Sequence, residues 1–376
     1  MSNSSVIALR AIGAYLGVIL SAAACGSHTD SQPGTSGNTP STTSALVAEA
    51  DGRLSDFGIS CHLAVSGEGV DAVVSMQLNN QGGQAVQVLR RGTAWDDASS
   101  VFHVTSPAGT ANYVGISASR GPIDESEYFA LPPQGAESIQ YPIGKQYSVT
   151  ADGNYDASLA RDVFVVKVAG AELRLQHDCN TVVAHLLSAG EGVAIAREAV
   201  TFSNCSTAQQ SVFNAAKLRA KTALDTTLIG VVSGNNLYRR WFGDWTSARS
   251  TTVTTVFNAM LAYWDAETIA CDVTCTAGWG AYTSYHSGTI HLCPPYFSSM
   301  SNFSGEDYWN QTGTYIHEMS HERGSGVIDY AYGAANDLSL ATSTPDHAIL
   351  NADNYALYAM SSYVSWIMTP LADISL

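Results

Sequence analysis

Two different spacings of apolar residues divide this chain of 376 residues into two halves. In the N-terminal half apolar side chains stand at every second position, as in Val74, Met76 and Leu78 and again in Phe164–Val168. A strand turns alternate side chains to opposite faces, so this spacing indicates strands with one buried face. Turns that contain Gly and Pro separate the runs. The pattern predicts an all-β, immunoglobulin-like sandwich over residues 46–188.

In the C-terminal half the apolar spacing changes to three and four residues, which is the repeat of an α-helix. Ser206 can cap a helix that extends to about Leu224, because its hydroxyl can accept from the free N–H groups of the first turn. A second helix is predicted where apolar residues keep this repeat: Val253, Val256, Phe257, Met260, Leu261 and Trp264. Short β-type segments follow between Ile269 and Cys293. We therefore expect an α+β domain over residues 201–376, mainly helical with a small sheet.

The first 45 residues lack both patterns. Residues 1–25 combine Arg10 with a short apolar run and end in Ser-Ala-Ala-Ala-Cys, which is typical of a bacterial lipoprotein signal with Cys25 lipidated. Cleavage at the alanines without lipidation is the alternative. The apolar run is too short to span a membrane. Residues 26–45 are rich in Ser, Thr, Gly, Pro and Asn, so we expect a flexible tether. The segment predicts export, either into the medium or to the cell surface.

The stretch Gly313–Gly333 carries the motif with the most specific chemistry, His-Glu-Met-Ser-His. Residues four apart lie on one face of a helix, so His317 and His321 can bind one zinc ion. Glu318 can then take a proton from a water molecule at the metal, whose pKa zinc lowers to roughly 7. The motif predicts one Zn²⁺ per chain, with two histidine ligands and Glu318 as the general base.

The third ligand decides the class of the zinc site. Val327 stands where a third histidine would follow the second ligand by six residues, and Glu322 is the last glutamate but lies on the wrong side of the helix. An aspartate or a histidine must therefore complete the site. Asp329 is nearest, and the glycine-rich turn before it lets the chain double back. The candidates further along the chain are Asp337, Asp346, His347, Asp353 and Asp373. Of these we expect Asp337 to face solvent.

These residues resemble a known family. The zinc motif followed by Asp329–Gly333, DYAYG, is similar to the aspzincin signature, an HExxH helix and then D-x-x-Y-G. Within that group the chain resembles the peptidyl-Lys metalloendopeptidases, with the deuterolysins as more distant relatives. The resemblance implies that Asp329 is the third zinc ligand and that Tyr332 stabilises the tetrahedral intermediate, a role that suits a hydroxyl donor. It also implies a zincin-like fold, in which we expect Gly288–Leu292 to be the edge strand that pairs with a peptide substrate.

Two departures from the family pattern affect the expected site. The family usually has Gly-Thr before the ligand aspartate, whereas the run Gly324–Ile328 makes the turn one residue shorter. In Lys-directed members an aspartate and a glutamate three residues later attract the lysine ammonium. Asp353 matches the aspartate, but Ala356 replaces the glutamate. One buried carboxylate still favours a cation, so we predict that Asp353 binds substrate and that cleavage occurs before lysine. The alternative is that Asp353 is an ordinary acid on a helix surface.

The seven cysteines fit an exported protein. With Cys25 set aside as the lipid anchor six remain, an even number that suits an oxidising compartment. Cys61 and Cys179 bracket the first domain and are expected to pair with each other. Other pairings are compatible with the sequence alone. In the second domain the resemblance suggests two further pairs, Cys205–Cys271 and Cys275–Cys293.

The N-terminal half also resembles the pro-region of the same family, in Arg91–Asp96, Tyr113–Gly115 and Arg120–Pro122. That resemblance implies a domain that aids folding or covers the active site until it is removed. A permanent binding module is the alternative. Residues 189–200 are predicted to be a linker, with a processing site near Arg197.

The formal net charge of −16 argues against nucleic acid as a partner. We expect peptide or protein substrates, a monomer, and a membrane contact only through the N-terminal anchor. The predicted function is a secreted or surface-anchored zinc metalloendopeptidase that cleaves before lysine. The alternative is a non-enzymatic surface lipoprotein with a binding β-sandwich and a structural zinc site, which a fourth protein ligand would close.

Overall fold

The computed structural model describes residues 52–96, 98–188, 200–304 and 309–368. The predicted signal segment, the lipidation site Cys25, the tether, most of the linker and the candidate ligand Asp373 lie outside these residues. Within the described part, none of the helices combines the length and the apolar character needed to cross a bilayer.

The N-terminal half consists mainly of strands that form sheets. These strands are β1 (Gly52–Arg53), β2 (Ile59–Ser66), β3 (Val73–Asn80), β4 (Val86–Leu89), β5 (Phe102–Ser106), β6 (Gly109–Thr110), β7 (Asn112–Tyr113), β8 (Ile116–Arg120), β9 (Tyr128–Leu131), β10 (Ala136–Tyr141), β11 (Tyr147–Ser148), β12 (Gly153–Leu159), β13 (Val163–Val168), β14 (Ala171–Gln176) and β15 (Val182–Leu186). A short helix, α1, spans Ile143–Gln146. The sheet orders are β1-β14-β13-β4-β9, β10-β3-β2, β15-β12-β5-β6 and β11-β7.

The buried faces of these sheets share one hydrophobic core. Val74, Met76 and Leu78 all point into it from β3, and Phe164 and Val166 do so from β13. The residues between the three of β3 are partly or fully exposed, so the alternating pattern is confirmed. An immunoglobulin-like arrangement of these sheets is a finer statement and stays a prediction.

The C-terminal half contains eight helices and four strands among the described residues. They are β16 (Thr201–Ser203), α2 (Thr207–Ser233), α3 (Asn236–Phe242), α4 (Ser247–Ala262), β17 (Thr268–Cys271), β18 (Trp279–Ser284), β19 (Thr289–Leu292), α5 (Pro294–Ser298), α6 (Gln311–Arg323), α7 (Ala334–Ser343), α8 (Pro345–Ala348) and α9 (Ala352–Met368). This agrees with the predicted mainly helical α+β composition.

Helix α2 begins where it was predicted and ends later. Ser206 caps it by accepting from the N–H of Gln209 at 3.3 Å. The helix continues beyond Leu224 because Thr227 and Val231 remain fully buried. It ends at Gly234, whose φ of 60° lies in the left-handed region that glycine adopts without strain.

The sheet of the C-terminal half corrects the predicted edge strand. Its order is β16-β17-β19-β18-β8, so β19, which contains most of Gly288–Leu292, lies in the interior. It pairs with β17 in parallel on one side and with β18 in antiparallel on the other. The outer side of β18 pairs with β8, which belongs to the N-terminal half. An extended segment of the N-terminal half is therefore the last strand of the C-terminal sheet.

Three disulfides join the pairs that were predicted: Cys61–Cys179, Cys205–Cys271 and Cys275–Cys293. The first closes the N-terminal half across 118 residues of sequence. Their presence fits an oxidising compartment.

Candidate active site

Helix α6 carries the zinc motif through the middle of the C-terminal half. Asn310 caps it, since its side-chain oxygen accepts from the N–H of Gly313 at 2.9 Å. Every residue from Gln311 to Glu322 is buried. The helix packs against α2, α4 and α9 and against strands β8, β18 and β19. A helix enclosed on all faces holds its polar side chains in fixed positions, which a metal site requires.

His317, His321 and Asp329 converge on one point. The Nε2 atoms of the two histidines are 3.1 Å apart, and Oδ1 of Asp329 lies 3.0 Å from Nε2 of His321 and 3.2 Å from Nε2 of His317. Bonds of 2.0–2.1 Å to a tetrahedral zinc ion separate its ligand atoms by roughly 3.3 Å. Oδ2 of Asp329 is buried and lacks a hydrogen-bond partner among the described residues. The donor set and its spacing fit one zinc ion.

The other candidates for the third ligand lie elsewhere. The described residues contain one group of three metal-binding side chains, and it is the group with Asp329. Asp346 forms an ion pair with Arg249 at the surface, and His347 stacks on an aromatic ring. Asp337 is fully buried, so the prediction that it faces solvent is wrong. Its Oδ1 accepts from the side chain of Asn351 at 3.0 Å, which satisfies one of the two buried carboxyl oxygens.

The chain reverses direction between the end of α6 and Asp329. Gly326 adopts a φ of 74°, which is the left-handed conformation that favours glycine. Ile328 then pairs with the segment before α9: its N–H donates to the carbonyl of Leu350 at 2.8 Å, and its carbonyl accepts from Ala352 at 3.1 Å. The shortened turn therefore still returns the aspartate to the two histidines.

Asn351 holds the ligand loop, and sequence reasoning missed it. Its Oδ1 accepts from the N–H groups of Tyr330 at 2.7 Å and Ala331 at 2.9 Å. The side chain is fully buried, so these bonds satisfy two donors that water cannot reach. In the sequence only Asp353, two residues later, was assigned a role. The local pattern contained no signal for a side-chain bond to a loop 20 residues earlier.

Hydrogen bonds fix the ring orientation of both histidines. Nδ1 of His317 donates to Oδ1 of Asp353 at 2.6 Å, and Nδ1 of His321 donates to the carbonyl of Val327 at 3.1 Å. Each Nε2 is thereby left unprotonated and able to bind a metal. Val327, which excluded a third histidine ligand, contributes its backbone instead.

Asp353 was predicted to bind substrate, and its observed contacts are different. Oδ1 accepts from His317, and Oδ2 accepts from the N–H of Gly333 at 2.8 Å. The residue is fully buried, so it is not an acid on a helix surface. These contacts are those of a residue that orients a metal ligand and the loop after it. A contact with substrate stays a prediction.

Glu318 and Tyr332 both contact strand β8. Oε1 of Glu318 accepts from the N–H of Ser119 at 2.7 Å, and the hydroxyl of Tyr332 donates to the carbonyl of Ala118 at 3.1 Å. Burial raises the pKa of Glu318 to about 7. Burial also raises the pKa of Tyr332 well above its ordinary value, so its hydroxyl keeps the proton. A proton acceptor and a proton donor therefore face one peptide group.

Other side chains of the N-terminal half also reach the ligand loop. Arg161 donates to the carbonyl of Asp329 at 2.7 Å. The hydroxyl of Tyr330 lies 3.2 Å from Nε2 of His103, and its ring stacks on His347. The two halves therefore meet at the loop that carries the third metal-binding side chain.

The chain is similar to several known proteases. A family model described as lysine-specific metallo-endopeptidase, of the aspzincin group, matches residues 229–360. The peptidyl-Lys metalloendopeptidase of Grifola frondosa is 29% identical over 344 residues, which are 84% of this chain and 96% of that protein. The peptidyl-Lys metalloendopeptidase of Pleurotus ostreatus is 31% identical over 164 residues, 42% of this chain and 95% of that protein.

Two further similarities were found. An extracellular protease of Aeromonas hydrophila is 24% identical over 314 residues, 78% of this chain and 89% of that protein. Among solved structures, a zinc peptidase from Grifola frondosa shares 33% identity and covers 42% of this chain and 96% of its own, with a TM-score of 0.38.

Proposed function

The chain belongs to the aspzincin family of zinc metalloendopeptidases, and we propose that it acts outside the cell and cleaves peptide bonds on the N-terminal side of lysine. One observation supports a catalytic role for zinc in this chain. In the described part of the chain, two histidines and an aspartate form a metal-binding group that no fourth His, Cys, Asp or Glu joins. A structural zinc site is closed by four protein ligands, whereas a catalytic site keeps one position open. The group therefore supports an enzyme over a binding lipoprotein.

We infer a task in peptide hydrolysis for each of these side chains. Zinc held by His317, His321 and Asp329 would supply a Lewis acid and lower the pKa of water. Glu318 accepts the proton of the attacking water and delivers it to the nitrogen of the leaving amine. Tyr332 donates to the carbonyl oxygen, where negative charge develops as water adds.

The preference for lysine is supported by the relatives and by one carboxylate. The proteins of Grifola frondosa and Pleurotus ostreatus carry the name peptidyl-Lys metalloendopeptidase. Asp353 matches the family's first pocket acid, but Ala356, fully buried, replaces the second. Asp353 also bonds His317 and Gly333, which share its negative charge. We therefore expect a preference for lysine that is weaker than two carboxylates would give.

We assign the N-terminal half, residues 46–188, the role of a pro-region that is removed after cleavage within residues 189–200. The alignment with the Grifola frondosa relative extends over 344 residues, which is longer than the C-terminal half and so includes much of the N-terminal half. The contacts of Ala118 and Ser119 with Tyr332 and Glu318 support a covering role. N-terminal sequencing of the secreted protein tests this, because an intact chain in the fully active preparation would contradict it.

Export is the remaining part of the proposal. The signal segment 1–25, lipidation at Cys25 and the tether 26–45 are predictions from sequence, and the three disulfides support an oxidising compartment. Labelling cells with a radioactive fatty acid should mark the wild-type chain and not Cys25→Ser. The predicted oligomeric state is tested separately: light scattering of the purified protein should give the mass of a monomer.

The activity itself is tested with peptides that differ only after the bond to be cut, where they carry lysine, arginine or leucine. The processed protein with zinc should cut the lysine peptide fastest, and a chelator or Glu318→Gln should abolish cleavage. Equal rates on the three peptides would remove the lysine preference and leave the endopeptidase activity.

A further inference from the structure

We propose that strand β8 occupies the peptide-binding site as an uncut substrate, with the bond between Ala118 and Ser119 at the position of hydrolysis. This inference rests on the proposed function, since it assumes that the site hydrolyses peptide bonds. It adds the surface that binds the substrate backbone, the direction of the bound peptide, and the residue that keeps the strand intact.

The outer edge of β18 is the surface that binds the peptide backbone. Strand β8 pairs with it in antiparallel from Ile116, opposite Ser284, to Arg120, opposite Trp279. The pairing continues with the N–H of Gly121, which donates to a carbonyl of the segment before β18 at 2.9 Å. An exposed sheet edge binds an extended peptide through its main chain and so accepts many sequences. The partner that fits this edge is an extended peptide that runs antiparallel to β18.

The two catalytic side chains contact the two ends of one peptide group. The carbonyl of Ala118 accepts from Tyr332, and the N–H of the next residue, Ser119, donates to Glu318. During hydrolysis negative charge develops on the carbonyl oxygen, and the nitrogen receives a proton. The donor lies at the oxygen and the proton carrier at the nitrogen, so this peptide group is oriented as the bond to be cut.

The side chain of Ser119 explains why the strand remains whole. Ser119 is fully buried and directly follows the bond that would be cut. It therefore fills the position in which the proposed specificity requires a lysine. Its hydroxyl has no hydrogen-bond partner among the described residues, so the surroundings offer serine no specific recognition. Serine lacks the ammonium that a pocket carboxylate would attract. Strand β8 therefore binds through its backbone without the side chain that directs cleavage.

Ion pairs hold the strand in place beyond the bond. Arg120 forms a buried ion pair with Asp96, which belongs to the same N-terminal half. Arg91, whose guanidinium donates to the carbonyl of Pro122 just after the strand at 3.4 Å, pairs with Glu127 of the same half. Breaking a buried pair by removing one partner leaves an uncompensated charge and is strongly destabilising. The N-terminal half therefore acts as the scaffold that keeps β8 against β18.

The direct test replaces Ser119 with lysine in the full chain. In zinc-loaded Ser119→Lys the bond after Ala118 should break, with the hydroxyl of water joining the carbonyl carbon and a proton joining the nitrogen of residue 119. The disulfide Cys61–Cys179 spans the cut, so two fragments should separate only after reduction. N-terminal sequencing should find a fragment that begins at residue 119. The intact chain should disappear completely, at a rate that does not depend on protein concentration.

Two controls define the outcome. Ser119→Ala, which keeps a small side chain, and the double variant Ser119→Lys with Glu318→Gln should both stay intact. If Ser119→Lys folds and stays whole while its processed form cuts an added lysine peptide, the inference is overturned and the proposed function stands. If neither its own strand nor the added peptide is cut, the lysine preference fails, and the variant described next decides the role of the strand.

The variant Arg120→Ala loosens strand β8 and leaves the bond between Ala118 and Ser119 and the catalytic side chains unchanged. Casein is the substrate, because its hydrolysis does not depend on a preference for lysine. Casein hydrolysis by the intact, unprocessed chain should rise by roughly tenfold or more over wild type, because the open state of the site gains population. The N–H of Ser119 should also lose protection in hydrogen exchange, which is measured without zinc. Hydrolysis by the wild-type chain as fast as by Arg120→Ala, with equal protection, would show that β8 does not fill the site.

Discussion

Nδ1 of His317 donates to Oδ1 of Asp353 over 2.6 Å, and both residues are buried. A carboxylate behind a metal-binding imidazole fixes the ring and makes its other nitrogen more basic. The sequence predicted that Asp353 contacts substrate, whereas this bond connects it with a metal-binding histidine.

The bond predicts that Asp353→Asn weakens zinc binding. An amide cannot supply the negative charge, so the zinc dissociation constant should rise by about 10- to 100-fold. Competition with a chromophoric chelator measures it. Asp346→Asn is the control, since Asp346 forms an exposed ion pair and should bind zinc as wild type does. Equal affinities in the two variants would show that Asp353 does not support His317.

Glu318→Gln should lower kcat by orders of magnitude and leave zinc binding unchanged. Removal of the proton carrier costs about 10²- to 10⁴-fold in kcat, whereas the three metal-binding side chains are untouched. Metal analysis and peptide hydrolysis on the same sample measure both. Glu322→Gln is a matched control on the same helix, because Glu322 accepts from the N–H groups of Ser287 and Gly288, and glutamine can still accept from one of them. A loss of zinc from Glu318→Gln would contradict the assignment.

Tyr332→Phe should lower kcat and leave KM nearly unchanged. The lost hydroxyl donates to a carbonyl oxygen whose charge grows in the transition state, so a fall of about 10²- to 10³-fold is expected. Steady-state kinetics of the processed protein measure this. Tyr330→Phe, two residues earlier, is the control. Its hydroxyl contacts His103 in the full chain and not the peptide group of Ala118 and Ser119, so kcat should be kept. A rise in KM alone would assign Tyr332 to substrate binding.

Acid should weaken the contact between the halves at His103 and His347. Burial lowers the pKa of His103, and the neighbouring His347 lowers it further. Burial also lowers the pKa of His347. The carboxylate of Asp162 opposes the shift in both histidines. The folded state therefore binds fewer protons than the unfolded state, in which the pKa is about 6.5. The stability from these groups is fully present above that value and is lost as the pH falls below it.

Urea unfolding at pH 7.5 and pH 5.5 measures this contribution. It should be below roughly 1 kcal/mol per histidine, because both are partly exposed to screening solvent. The variant His103→Gln should lose part of the difference between the two pH values. If His103→Gln shows the same difference in stability between the two pH values as wild type, the contribution assigned to His103 is contradicted.

The local parts of the site could be predicted from sequence. His317, Glu318 and His321 belong to one helix, so their spacing alone brought them together. Asp329, eight residues later, was the nearest of several candidates for the third ligand, and the resemblance to the family selected it. The alternation in β3 also defined its buried face, because a strand's period does not depend on its partners.

The remainder depends on contacts between distant segments. Ser119 and Glu318 are 199 residues apart, and in Ile116–Arg120 only Ile116 and Ala118 alternate with serine, a run too short and too weakly apolar to mark a strand. Alternation is also the same in edge and interior strands, which is why the edge was assigned to Gly288–Leu292 instead of β18. Asp337 is buried and bonded to Asn351, and a bond between two side chains leaves no trace in the periodicity of the sequence.

Anomalous diffraction at the zinc edge, from crystals of the full chain grown with zinc, tests the central assignment most directly. The account predicts one peak per chain, about 2.0–2.2 Å from Nε2 of His317, Nε2 of His321 and an oxygen of Asp329, with no fourth protein side chain bound. A peak bonded to four side chains, or one from which Asp329 points away, would contradict it.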